Sequence, residues 1–437
     1  MQRKVAVVGS GIAGLSVAHG LSGSANVTLF ESGNYFGGHT HTVDVTLDGI
    51  THGVDTGFLV LNERTYPNLL RLFAQLGIET APSDMSFSVQ VPDLSLEWSG
   101  SDLNGVFAQR RNLARPGFWR MLRDILRFNR VATALAADER VAGLEQPIGD
   151  FLHEQRFSTE FRDWYFLPMI GCIWSCPTDQ MLRFPIATMI RFCHNHGLLQ
   201  VADRPQWRTV RGGARQYVAK MLNTIPDARL NTPVRQVRRV PSGSGEAGVH
   251  VSTDRGTERF DELVLACHSD QSLALLADPS RAESELLGAI RYHRNRAVLH
   301  TDTSVLPRRQ RAWAAWNYER AASDPREQAA VCLHYLINRL QPLPFRTPVV
   351  VSLNPLTAPR ADSVHGEYDY AHPVFDGAAI AAQNTLPALQ GQAHTWYCGA
   401  WTRYGFHEDG LVSGLAVCAA LKERWAAGSP LPALAAA

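Results

Sequence analysis

No stretch of this 437-residue chain stays apolar over the roughly 18 residues that a membrane-crossing helix needs. Net charge is only +1 at neutral pH, so bulk charge does not draw the chain to nucleic acid. Its seven cysteines are odd in number and irregularly spaced. That argues against a disulfide framework and for reduced thiols, hence a cytoplasmic protein. The first apolar strand starts by Val5, which leaves no room for a secretory signal. Lysine is nearly missing as well: of 42 basic residues, only Lys4, Lys220 and Lys422 are not arginine. No internal repeat is visible. The hydrophobic fraction of 45% and charged fraction of 19% are those of a soluble globular protein.

What is present starts with Val5-Ala-Val-Val-Gly9-Ser-Gly11-Ile12-Ala13-Gly14. The apolar run reads as a buried parallel strand. Gly9 permits a tight turn, Gly11 lets backbone approach a pyrophosphate, and Gly14 lets the next helix pack on the strand. That helix directs unpaired N–H groups at the phosphates. A second strand, Val27 to Phe30, ends in Glu31, where a carboxylate can accept from a ribose hydroxyl and would repel a 2′-phosphate. Almost four hundred residues later a second glycine-rich signature appears: Gly399-Ala400, then Gly405-Phe-His407-Glu408-Asp409-Gly410-Leu411-Val-Ser413-Gly414. A dinucleotide held only by the first turn would not need it. A long, buried FAD reaching across the protein would.

The chain is too long for one core. The expectation is an α/β fold in which a Rossmann-type FAD-binding domain (residues 1–80, 205–290 and 390–430) interleaves with a mixed α+β substrate domain (81–204 and 291–389). A flexible tail, 431–437, completes the chain. Residues 64–77 read as a helix, Met85 to Trp98 as strand, and Phe107 to Ala137 as a basic, aromatic helix. Val234–Val237 and Val249–Val251 read as paired strands across a Ser242–Gly248 turn, and Val298 to Leu356 as mostly sheet. Cys172, Cys176, Cys193, His194 and His196 could be drawn as a zinc site, but Ile173-Trp174-Ser175 is not a typical knuckle and buried free cysteine is common. No metal is expected.

With these motifs in register, the chain resembles the superfamily of FAD-dependent amine oxidases, protoporphyrinogen oxidases and phytoene desaturases along nearly its whole length. The resemblance implies that Gly9, Gly11, Ile12, Ala13, Gly14 and Glu31 hold the ADP half. It places Gly37 and Gly38, with His39 and Thr40, as the following glycine pair, and Asp55 with Gly57 beside the flavin. Gly212 and Gly213, with Tyr217, are similar to the mid-chain pair, and Val234 to Val237 to a strand meeting the adenine. Gly399, Asp409, Gly410, Leu411 and Ser413 resemble the C-terminal flavin motif. Two positions depart: His39 stands where arginine is usual, and Ala400 where an acid is often found. Gly38-His39-Thr40, Asn62 to Pro67 and Phe406 to Gly410 most resemble bacterial flavoproteins associated with cyclopropane and methylated fatty acid synthesis, on the way to furan fatty acids.

That subgroup implies a desaturase acting on a modified acyl chain of a phospholipid. His407 and Glu408 are candidate bases, because their loop should run near the flavin, and Tyr404 and Trp401 are candidate flavin-face aromatics. Phe118, Trp119, Leu122, Ile125 and Leu126 can line one side of a helix flanked by seven arginines between Arg110 and Arg130, with Asp124 the only acid. Such a segment, 107–130, suits peripheral contact with an anionic inner membrane face, or is simply a solvated surface helix. An amine substrate is the alternative. Amine oxidation in this superfamily typically uses a lysine, and none of the three is well placed. A third reading is a non-catalytic flavoprotein partnering a lipid methyltransferase.

Overall fold

The computed structural model describes residues 2–137, 146–200, 205–240, 248–320 and 331–427. The expected tail 431–437, and nearly all of the Ser242–Gly248 turn, lie outside them. The fold is α/β. Lys4–Val8 sits at the centre of a parallel five-stranded sheet, ordered Asp227–Arg229, Asn26–Phe30, Lys4–Val8, Glu262–Leu265, Thr395–Tyr397. Helices cover both faces of such a sheet, which is why Val5 to Val8 are all apolar and buried rather than alternating. The sheet draws strands from both ends of the chain, so the two glycine signatures meet at one edge.

A second, mixed sheet has seven strands, ordered Val364–Val374, Arg291–His300, Val350–Leu353, Cys332–Leu336, Trp316–Glu319, Phe87–Val91, Leu96–Ser99. All pairings are antiparallel except Trp316–Glu319 with Phe87–Val91. Phe118, Phe128, Phe161, Phe166 and Ile190, from helices between 116 and 195, share its apolar core. The strand Thr80–Ser83 pairs with Trp207–Val210 and spans the expected 80/81 domain boundary.

The arginine-rich segment forms a short 3₁₀ turn, Arg110–Ala114, and a helix, Pro116–Ala136. Its apolar residues do not share one face, contrary to the expectation. Phe118, Met121, Phe128 and Ala132 are core, Leu122 and Ile125 are half-buried, and Trp119 and Leu126 face outward. Asp124 does oppose the arginines, pairing with Arg127 at 3.5 Å, but from a buried position where it also accepts from the Ser158 N–H at 2.9 Å. Helical period puts 118, 121, 125, 128 and 132 on one stripe, and that stripe met the sheet. Among the described residues no helix is long and apolar enough to cross a membrane.

Two glycines set the helix spacing at the centre. A Cβ on Gly14 would collide with the Gly9 carbonyl oxygen, so the helix Ile12–Leu21 can start hard against its turn only with glycine there. A Cβ on Gly414 would collide with Ser16 Oγ and come within 2.5 Å of the Ala13 carbonyl oxygen. This lets the C-terminal helix, His407–Ala426, lie on the N-terminal one and carry the 399–410 loop to the Gly9 turn. Gly414→Ala should therefore cost on the order of 1–3 kcal/mol through backbone overpacking. Denaturant unfolding checks this, and an unchanged midpoint would show that the two helices do not depend on that contact.

Candidate active site

A cavity of about 1070 Å³ exceeds the ~300–1,000 Å³ of a typical small-ligand pocket. It opens at the carboxyl ends of the parallel strands, where open α/β sheets bind ligands. There Gly9 to Ala13, Glu31, Thr232, Val234 and Ala266 to His268 form its wall. Gly37 to His39 continue the wall, joined to the first turn by a Gly11–Gly37 bridge. Gly57, Gly399, Phe406 and His407 also line it.

The first turn is built for an anion. The helix beginning at Ile12 has Gly11 as N-cap, with no side-chain cap and no acid in its first turn, so its N–H groups remain for a ligand. Gly11 has φ −61° and ψ 175°, a conformation open to any residue. A Cβ built there meets nothing within 4 Å. Folding does not require this glycine; an object beside it does. Glu31 is already oriented. One carboxylate oxygen accepts from Ser10 N–H at 3.0 Å and Ser10 Oγ at 2.6 Å, the other from Gly33 N–H at 2.8 Å.

Several expected contacts turn out to be structural. Asp55 is buried and does not line the cavity; it accepts from Ala214 N–H, Thr42 Oγ1 and Gln341 Nε2. It thus ties the turn carrying Gly212 and Gly213, which lies outside the cavity wall, to the hairpin Thr42–Leu47/Ile50–Asp55. Thr40 turns its hydroxyl to Tyr217. Val237 packs in the core behind Val234, its carbonyl accepting from Ala277 N–H. Gly14, Gly410 and Leu411 serve helix packing: a Cβ on Gly410 would lie 2.8 Å from Ile12 Cγ2. Asp409 accepts from Phe406 N–H at 3.0 Å, and Ser413 Oγ accepts from Gly399 N–H at 2.9 Å, fixing the closing loop from behind.

The candidate bases separate. Both carboxylate oxygens of buried Glu408 are used at the start of the helix Pro67–Leu76, accepting from Asn68 N–H and Nδ2 at 2.8 Å and Leu69 N–H at 3.0 Å. Glu408 therefore caps a helix and does not reach the cavity. Tyr404 does not line the cavity either; its carbonyl accepts from Trp174 Nε1. Trp401 does, and so does His407, stacked on Phe58 at 3.8 Å with Nε2 2.7 Å from Tyr217 OH.

Sequence reasoning missed a ring of imidazoles and phenols. His268, His372, Tyr292 and Tyr370 line the cavity around His39, whose ring lies 5.2 Å from Tyr370 and 5.3 Å from His372. His39 Nε2 is buried without a partner and marks a place for a polar ligand atom. Cys267-His268 lies just past the carboxyl end of the buried parallel strand Glu262–Leu265, one residue on, and that position was the signal available. His196, weighed above as a zinc ligand, also faces the cavity, stacked on Phe192 at 3.8 Å. Cys176 and Cys193 instead pack on Trp174 O and Met189 Sδ, and the five zinc candidates do not converge. The ligand atoms that do lie within 4.8 Å of one another belong to Glu319, Cys332 and His334.

An anion-binding turn, an oriented acid, an orphaned buried imidazole and a cavity too large for one small ligand together fit a dinucleotide cofactor with room for a substrate. By its family the chain is an FAD-dependent oxidoreductase. By its sequence the chain belongs to the flavin containing amine oxidoreductase family, whose pattern matches residues 12–317. No curated protein matches it significantly. Among solved structures it is similar to the CLA-producing fatty acid isomerase from P. acnes (14% identity, TM-score 0.66, 96% of this chain and 98% of that one). Cyclohexylamine oxidase from Brevibacterium oxydans IH-35A is similar too (16%, 0.66, 98% and 100%), as is putrescine oxidase (16%, 0.66, 97% and 100%). At these identities the likeness is one of fold.

Gly11→Val should give a folded protein of nearly unchanged melting temperature that purifies colourless, because the new side chain fills only the space for the cofactor. A yellow Gly11→Val protein would place the phosphates elsewhere. The second expectation concerns pH. Burial, and then neighbouring imidazoles for most, holds His39 and His268 at about 4 and His372 and His407 at about 3; burial also holds His196 at about 4. Each folded value lies below the unfolded one of about 6.5, so this stability is complete above that pH and is lost on acidification toward 4. Burial raises Asp55 to about 7 and Asp409 to about 6, which opposes the trend from only two groups. The melting temperature should be lower at about pH 5 than at about pH 7.5 by roughly 3 °C or more; a flat or opposite profile would contradict a neutral imidazole cluster.

Proposed function

We propose that the enzyme withdraws a hydride from a long apolar chain, specifically a methylated or cyclopropane-modified fatty acyl chain of a phospholipid. One observation carries this reading. Beyond His407 the cavity wall is made by Met85, Phe87, Met169, Ile173, Phe192 and Trp316, with no charged side chain among them. The charged lining groups, Glu31, Asp270, Arg294 and Asp369, lie on other elements. Such a chamber costs an alkyl chain little to enter and offers an ammonium no carboxylate partner.

When bound, FAD supplies the hydride acceptor. A double bond forms only if loss of hydride from one carbon is matched by loss of a proton from its neighbour. His196 is suited to take that proton. Its Nδ1 lies 2.9 Å from the Phe192 carbonyl oxygen and so carries the hydrogen, which leaves the Nε2 lone pair unprotonated. Burial keeps the ring neutral at working pH. His407 is the less basic of the two, and its Nε2 is already engaged by Tyr217. We place it as a positioning residue for the closing loop. A methyltransferase working on membrane lipid would be the source of the modified chain.

An amine substrate is the second reading, named by cyclohexylamine oxidase and putrescine oxidase. Against it, none of the three lysines lines the cavity. Lys220 Nζ donates to the Leu76 and Gly77 carbonyls, Lys4 begins the central strand, and Lys422 is exposed on the last helix.

Anaerobic mixing tests the proposal. The flavin's visible band should bleach with lipid extracts that contain methylated acyl chains and not with extracts that lack them. Identical spectra with both extracts would sink the substrate assignment, and bleaching by cyclohexylamine or putrescine would move it to the amine reading. His196→Gln should slow bleaching by roughly 10²–10⁴-fold with flavin content unchanged; an unaltered rate would remove His196 from the proton-accepting role.

A further inference from the structure

The outward side of the arginine-rich region is what a globular surface normally avoids. On the helix Pro116–Ala136 the exposed stripe at helical spacing reads Trp119, Arg123, Leu126, Arg130. Trp119 is 49% exposed and Leu126 58%. At the start of this helix the stripe meets three more exposed leucines, Leu94, Leu103 and Leu113, of which Leu103 is 77% exposed. The patch is knit together. Trp119 Nε1 donates to Leu113 O at 2.9 Å, and Arg115 donates to Leu94 O at 3.0 Å. Arg110 reaches Asn104, beside Leu103.

Charge on the patch is one-sided. Arg308 and Arg309 are brought alongside by buried Glu97, which accepts from both. Among the described residues, the exposed acids in the segments that carry Leu94 and Leu103 are Asp93 and Asp102, and Asp102 is occupied as the cap of the short helix Leu103–Val106. Burial, and then the charge of Arg111, lowers the pKa of Arg115, as crowded guanidiniums require. Isolated exposed leucines mean nothing. Five large apolar side chains interspersed with arginines make an amphipathic face: apolar groups that enter the acyl boundary, cations that reach the headgroups, and a tryptophan suited to the border.

We infer that Leu94, Leu103, Leu113, Trp119 and Leu126, with the surrounding arginines, dock the enzyme onto the surface of an anionic lipid bilayer. The face also communicates with the cavity. Ring contacts run from Phe87 in the cavity wall through Trp98, Phe118 and Phe107 to Trp119, each step between 5.6 and 6.3 Å. Docking there leaves the rings of Trp98, Phe118 and Phe107 between the outer tryptophan and the chamber. This inference extends the acyl-chain reading, but membrane attachment itself does not depend on which chain is oxidised.

Vesicle flotation of the flavin-loaded enzyme tests it, using unmodified acyl chains so that binding is scored apart from turnover. Wild-type protein should float with phosphatidylglycerol vesicles, weakly with phosphatidylcholine, and the difference should vanish as salt rises from about 0.05 to about 0.5 M. Leu103→Asp combined with Trp119→Ala should lower the bound fraction on anionic vesicles by about tenfold or more. Flavin content should stay that of wild type, since neither side chain lines the cavity. Equal flotation on the two lipids, equal flotation of variant and wild type, or wild-type protein left unbound by both vesicle types, as a protein-docking face would give, overturns the inference.

Discussion

The contact on which the rest depends is the close approach of the first and last helices. Where Gly414 meets Ala13 and Ser16 there is no room for a methyl group. That spacing sets the His407 end of the C-terminal helix beside the Gly9–Gly14 turn. Glu408 fixes the same end from another side by capping the helix Pro67–Leu76. Residues hundreds of positions apart thus become one wall. A loop held from three directions needs little reorganisation when a cofactor arrives, and preorganisation of this kind is what an active site requires.

The wall is chemically unusual in its cluster of buried, neutral imidazoles. Desolvation is the largest influence on every imidazole that lines it, and for most of them a neighbouring imidazole adds to the effect. Neutral rings are hydrogen-bonding groups of adjustable tautomer rather than cations. They can meet the polar edges of a cofactor without imposing a field on an apolar substrate. The aromatic and thioether side chains that complete the cavity extend the same low-dielectric environment. Of the carboxylates near the site, Asp55 and Glu408 are spent on backbone N–H groups and Glu31 stands at the first turn, while Asp270 and Asp369 lie elsewhere on the lining.

Fold and reaction are separable here. Family membership and the shared fold carry the flavin and the oxidoreductase class, and solved structures of the same fold include a fatty acid isomerase and amine oxidases. Choice among such substrates comes from the side chains of the chamber, not from the sheet that supports it. In this chain the chamber has a wall of Met85, Phe87, Met169, Ile173, Phe192 and Trp316 and lacks lysine, and the proposed acyl-chain substrate rests on those side chains.

The sequence by itself determined the α/β class, the anion-binding turn and the oriented acid, because these are local: the strand, turn, helix and second strand lie within about 30 consecutive residues. It also raised the expectation that the distant glycine motifs belong to one site, and Gly9, Gly11 and Gly399 do line one cavity. Tertiary structure alone decided which polar residues face that ligand. Asp55, Glu408, Gly212 and Gly213 carried the right chemistry in the right neighbourhoods, yet packing turned them to the scaffold. His196, His268, His372 and Tyr370 come from separate elements whose convergence no spacing reveals. The reason is physical. A turn's geometry follows from its own backbone, whereas a side chain's partners follow from whichever helix or strand the fold brings against it.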